Sequence, residues 1–283
     1  MRYPGIVFFL LLFLVGCGPP RVGGDPPVPR HPFTHWHKAF AWGKPWRLTS
    51  MGIETKGTGI ERTKGPPRTA TWIWETHHPS INRWSAHYGV PAELLIAVIA
   101  TESAPARGAA GHTRDPRSLR RESGFVSLAR TPGRLAVGLM QVTVGTARAV
   151  LKPEGLGADQ IDDQWLMVPE NGIRAGAAVL AWQARGRFCN IATLFDPPVA
   201  IAAYHAGGLY RMGGWNNRWK MRQYPHRTGR HVDRAIRFFN DAVAVLRDHP
   251  VQSVFSYRDY VFHPPKWPEE VSCIPAPRGT API

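Results

Sequence analysis

A mainly α-helical fold is what this 283-residue sequence predicts, on three observations. Apolar residues recur at helical spacing over about 78–88, 91–103, 138–151, 170–186, 197–206 and 231–247. Turn-rich segments separate these stretches, notably 104–133 and 152–168. No alternating pattern is strong enough to build a large sheet, and no internal repeat is present.

Taken in order, the chain begins with Arg2 and an apolar run, Ile6 to Val15, too short to span a bilayer comfortably. Gly18 to Pro32 is rich in Pro and Gly without apolar periodicity, and reads as a spacer. Residues 33–75 hold Trp36, Trp42, Trp46, Trp72 and Trp74 among glycines, lysines and threonines. That stretch is too aromatic for plain disorder and too irregular to assign; wrapping of the main domain is one reading. In the strongest helix Leu95, Val98, Ile99 and Glu102 fall at i, i+3, i+4 and i+7, on one stripe facing the core. The next helix opens with Gly138-Leu139-Met140-Gln141 and carries Thr146-Ala147 further along. Pro169 to Gly176 is a helix start followed by a small-residue packing face, and Ala203-Tyr204-His205-Ala206-Gly207-Gly208 closes a later apolar helix. From Val251 onward, prolines and short apolar patches predict an extended tail on the surface.

Composition narrows the function classes. Lys+Arg number 35 against 20 Asp+Glu, a formal charge of +15, which favours a polyanionic partner. No zinc-finger spacing, basic-region heptad or aromatic RNA-binding signature is present, so nucleic acid is not the partner expected. His31, His35 and His37 lie in or beside a Pro-rich spacer with no matching cysteines or acids, so a metal site there is not expected.

Glu102 is the candidate for chemistry. A carboxylate on a core-facing stripe loses hydration, so its pKa is expected to rise. A glutamic acid that keeps its proton near neutral pH can cleave a glycosidic bond by acid catalysis. Glu122, in Glu122-Ser123-Gly124-Phe125, is the rival, but Arg114 to Arg121 before it is basic and turn-like. That setting would leave Glu122 hydrated and ionised. Asp162 and Asp163 sit in a polar loop and read as a solvated turn.

The ordered series Glu102-Ser103, Gly138 to Gln141 and Ala203 to Gly208 resembles the soluble lytic transglycosylase domain, a lysozyme-like fold that cleaves peptidoglycan glycan strands. The resemblance covers roughly 78–247. It implies that Glu102 is the catalytic acid and base and that Ser103 helps to position it or the substrate. It further implies that Gly138, Met140 and Gln141 line the cleft, with Met140 against a sugar face and Gln141 hydrogen-bonding the glycan. Tyr204 would project towards Glu102. Two positions depart from the usual pattern: His205 stands where Asn is usual, and Gly172 stands where a helix start usually has Asn, with Asn171 one position earlier. The first adds a titratable group near the cleft; the second puts a capping hydrogen bond in doubt. Trp215, Trp219, Lys220, Arg222 and Tyr224 read either as a glycan-binding rim or as a fold-closing cluster.

The resemblance also implies a mechanism with one carboxyl, no metal and no cofactor. Cleavage falls between N-acetylmuramic acid and N-acetylglucosamine, leaving 1,6-anhydromuramyl ends. Two alternatives stay open: a hydrolytic muramidase of the same fold, or a non-catalytic wall-binding lipoprotein. Leu14-Val15-Gly16-Cys17 resembles the bacterial lipobox, which implies export, lipidation at Cys17 and an outer-membrane tether facing the periplasm. Cys189 and Cys273 would then be free to pair in an oxidising compartment, or not. The expected organisation is a signal peptide over 1–17, a spacer and Trp-rich extension over 18–77, the catalytic domain over 78–250 and a tail over 251–283. Oligomeric state is not read from the sequence.

Overall fold

The structure, a computed structural model, describes residues 34–38, 43–103, 121, 126–127, 129–130, 135–185, 193–206, 210–211, 218–219, 221–222, 229–248 and 256–257. The lipobox, Glu122, Cys189, Cys273 and most of the tail lie outside them.

Helices dominate, as predicted. The elements are β1 (Trp46–Thr49), β2 (Gly52–Thr55), β3 (Gly59–Ile60), α1 (Arg68–Tyr88), α2 (Ala92–Ser103), β4 (Ala136–Val137), β5 (Val142–Thr143), α3 (Val144–Leu151), α4 (Asp163–Met167), α5 (Pro169–Ala184), α6 (Pro197–Ala206), β6 (Tyr210–Arg211), β7 (Met221–Arg222) and α7 (Gly229–Asp248).

Helix α2 is the axis of the molecule. Its sequence is apolar on every side, and a helix of that kind belongs inside. From Ala92 to Ser103 every residue except Glu102 is buried. The single core-facing stripe inferred from the sequence is therefore too narrow. Helices α1 and α7 pack against α2, and α5 packs against α1 and, more lightly, α2. Gly89, left-handed at φ 64°, ends α1 and turns the chain into α2. Arg234 on α7 donates to the Thr101 carbonyl at 2.7 Å, satisfying one of the orphan carbonyls at the C-terminal end of α2.

The structure differs from the sequence reading in three places. Helix α1 starts at Arg68 and carries Pro79 inside it, ten residues ahead of the predicted start. Residues 138–143 are a hairpin turn and strand rather than helix, because Gly138 and Gln141 both take positive φ, at 78° and 51°. Residues 163–167, within a segment read as turns, form α4, capped by the Asp162 carboxylate accepting from Trp165 N at 2.7 Å. Asp163 pairs with Arg121 at 2.6 Å, so neither acid is merely a solvated turn.

The Trp-rich stretch is built into the same core. Strands β1, β2 and β3 form an antiparallel sheet in that order, with Trp46 opposite Thr55 and Glu54 opposite Ile60. Buried Asn240 of α7 clamps the sheet. It accepts from Ile53 N at 2.7 Å and donates to the carbonyls of Ile53 (3.2 Å) and Glu61 (2.7 Å). Trp46 is fully buried, donates to Asp196 at 2.9 Å and meets Trp219 edge-on at 5.3 Å. Trp219 is thus a core residue and not part of a rim; Trp215, Lys220 and Tyr224 lie outside the described residues. His37 is bonded to Asp196 at 2.8 Å and, through its other nitrogen, to the His35 carbonyl at 2.9 Å. The tail is anchored more deeply than a surface packing would require. Tyr257 is buried, its backbone N–H donates to Glu93 at 3.0 Å, and its hydroxyl donates to the Phe195 carbonyl.

Candidate active site

The three sequence motifs converge on the C-terminal end of α2. Ser103 is buried there and its hydroxyl donates to the Leu139 carbonyl, tying the helix end to the 138–141 turn. Tyr204 of α6 donates its hydroxyl to the Met140 carbonyl at 2.8 Å, tying the third motif to the second. Gln183 of α5 donates to the Ala203 carbonyl at 3.0 Å and fixes α6 from behind.

Within this frame several expected ligand contacts turn out to be internal. Met140 is fully buried against Gly176, where a Cβ would stand 2.2 Å from the Met140 Sδ. Its side chain fills the core and does not lie against a sugar face. Gly138 makes a close backbone approach to the protein itself: a Cβ there would stand 2.1 Å from the Leu166 carbonyl oxygen. Ser103 positions the helix end and is too buried to touch a substrate. Gln141 donates its side-chain amide back to the Gly138 carbonyl at 2.7 Å, while holding a left-handed backbone that a non-glycine residue seldom adopts. The α5 start has no side-chain cap; Asn171 instead donates to the Trp165 carbonyl of α4 at 3.1 Å, joining the two helices.

Glu102 sits where these pieces meet, its side chain 15 % exposed. His205 Nδ1 approaches its Oε1 at 3.9 Å and His231 Nε2 approaches the same oxygen at 3.4 Å. The two imidazoles stack with centroids 3.8 Å apart and 23° between planes. The sequence reading missed His231. A histidine near the start of an amphipathic helix carries no local mark, although Arg234 one turn later lies on the same face of α7.

Electrostatics correct one expectation. Burial pushes the Glu102 carboxyl up, but the adjoining His205 ring and the charges of His231, His205 and Arg234 pull it down, and the pull wins. Burial pushes His231 down to about 3, against the attraction of Glu102. Glu102 in the free protein is therefore ionised, where the sequence argument had it holding its proton. Tyr204 is driven well above the ordinary phenol value by burial and, secondarily, by the charge of Glu102, so its hydroxyl keeps its proton as a donor.

A family model described as the transglycosylase SLT domain matches residues 79–224. Among solved structures, one that is similar is an inactive mutant of the lytic transglycosylase Slt from Pseudomonas aeruginosa. It is 19% identical, with a TM-score of 0.34 over 63% of this chain and 25% of that one. This chain thus spans about a quarter of the length of that relative. None of the curated proteins compared with it matches. With more than half of its residues inside the matched region, the chain belongs to the transglycosylase SLT domain family.

Proposed function

We propose that this chain is a peptidoglycan lytic transglycosylase that cuts the β-1,4 bond between N-acetylmuramic acid and N-acetylglucosamine with Glu102 as acid and base. One observation carries the reading. In a helix otherwise sealed inside the protein, Glu102 alone reaches partial exposure, and it does so where the family's motifs meet.

The chemistry follows from that position. A glycan strand laid over Glu102 strips its remaining water, which raises the carboxyl and favours protonation. The acid then donates its proton to the glycosidic oxygen as the C1–O bond breaks, and the N-acetyl carbonyl steadies the oxocarbenium charge. The Glu102 carboxylate takes the proton of the muramyl 6-hydroxyl as that oxygen bonds to C1, closing the 1,6-anhydro ring. Glu102 ends the cycle protonated, and as the products leave and water returns it releases to solvent the proton taken up on binding, which restores the resting ionised state. A two-carboxylate hydrolase would use a second acid as base or nucleophile. Asp162 and Asp163, the acids of the neighbouring loop, are engaged in capping α4 and pairing with Arg121.

Lipidation at Cys17 and an outer-membrane tether remain part of the proposal. Such a tether would hold the enzyme against a substrate that cannot diffuse to it. Mass analysis of muropeptides from purified wall tests the whole reading. Wild type should release anhydro products one water lighter than hydrolysed ones, and E122Q should do the same. E102Q should release none, with activity down by on the order of 100-fold or more, as loss of a general acid entails. Undiminished lysis by E102Q would end the proposal.

A further inference from the structure

We propose that Glu102, His205 and His231 form a Zn2+ site whose occupation shuts off the active site. The three come from different elements, α2, α6 and α7, and their ligand atoms all lie within 4.8 Å of one another. In a tetrahedral zinc centre, bonds of about 2.0–2.2 Å place neighbouring ligand atoms roughly 3.3–3.6 Å apart. The His231–Glu102 separation of 3.4 Å already meets that spacing, and the His205–Glu102 separation of 3.9 Å needs only a small side-chain rotation. Two imidazoles and one carboxylate are the donor set of three-ligand zinc sites that keep a fourth position open.

The surroundings suit a reversible ion. The side chains are 15 %, 24 % and 11 % exposed in the order Glu102, His205, His231, so an ion can reach them from solvent without unfolding. Arg234 fixes α7 to the end of α2 and Tyr204 fixes α6 to the 138–141 turn, so the three donors stay near one another before metal arrives. The stacked rings need to splay for both lone pairs to meet one ion. Arg234 is the opposing feature, a fixed positive charge near the carboxylate. It limits affinity and suits a site that releases its ion. A cation on Glu102 Oε1 occupies the oxygen that the proton needs, so zinc and catalysis exclude each other.

The shut-off part rests on Glu102 being the acid; the binding part does not. Calorimetric titration of the full chain with zinc chloride, without substrate, tests binding. The H205A/H231A double variant controls for the other histidines, and circular dichroism checks that it folds. Wild type should show one site of higher affinity that weakens at least roughly tenfold in the double variant and in H205N. Equal affinity in wild type and double variant, or no uptake by wild type, overturns the proposal. In wall digestion, zinc should slow wild type and slow each histidine variant less, each against its own metal-free rate. Zinc binding by a chain whose E102Q form still lyses wall would overturn the shut-off part and the catalytic reading while leaving the metal site. Loss of lysis in E102Q with no zinc uptake would overturn the metal site alone.

Discussion

Ser103 donates its hydroxyl to the Leu139 carbonyl, so the residue after the candidate acid is bonded to the turn that follows it by thirty-six positions in sequence. Both partners are buried, which makes this a joint that cannot exchange with water. Ser103→Ala should leave the Leu139 carbonyl unpaired and lower stability by about 1–3 kcal/mol. Activity should fall with it, because the end of α2 loses its tie. Thermal unfolding together with wall digestion reads both effects; an unchanged melting temperature would contradict the role given to this bond.

Gly138 and Gly59 offer a controlled pair, since both take positive φ, at 78° and 71°. An alanine Cβ at 59 meets nothing within 4 Å, while one at 138 meets the Leu166 carbonyl oxygen at 2.1 Å. G59A should cost only the left-handed penalty of about 1–2 kcal/mol. G138A adds a backbone clash that no rotamer can relieve, and should lose several times as much together with all activity. Urea unfolding of the two variants side by side is the measurement.

Asn240→Ala removes three hydrogen bonds that join β2 and Glu61 to α7. Leaving buried backbone groups of Ile53 unpaired should destabilise the fold by on the order of 3 kcal/mol. Amide exchange should rise first at residues 46–55, ahead of α2, because α2 is held by other helices. Uniform loss of protection would argue against this order.

His37, Asp196 and Trp46 predict a pH dependence of stability. Burial pulls His37 down, but its bond to Asp196 and the Asp196 charge prevail and raise it above the ordinary histidine value. Asp196 is itself raised by burial, against the bonds from His37 and Trp46, so the pair holds a proton more firmly than either group alone. A raised histidine contributes stability that is complete below its unfolded pKa and is lost as pH rises through the folded one. The urea midpoint of wild type should therefore fall as pH climbs from about 6 into the alkaline range, from an unfolded value near 6.5. In H37Q that part of the fall should vanish. A wild-type midpoint that rises over the same window would reverse the sign and refute the assignment.

How much was legible in the sequence depended on whether the information was local. The apolar run from Ala92 to Ala100 announced α2 and the place of Glu102, because burial of a whole helix requires apolar residues all round. The sheet at 46–60 was not legible: its strands have four, four and two residues, and Asn240, far along the chain, fixes them. Gln141 carries nothing in its identity to announce a left-handed backbone. His231 has an unremarkable neighbourhood in sequence, and its meeting with His205 over Glu102 arises from α6 and α7 packing at one helix end. The direction of the Glu102 titration was misjudged for the same reason, since Arg234 and both histidines arrive through tertiary structure.

Sealing of α2 on every side also makes it an indexing pin. Each residue of an α-helix advances about 1.5 Å and turns about 100°. Deleting one residue between Ala92 and Thr101 would swing the carboxylate into packed hydrocarbon and present a neighbour to the opening instead. Point changes along this rod trade volume against stability, whereas a change of length relocates the reactive group altogether.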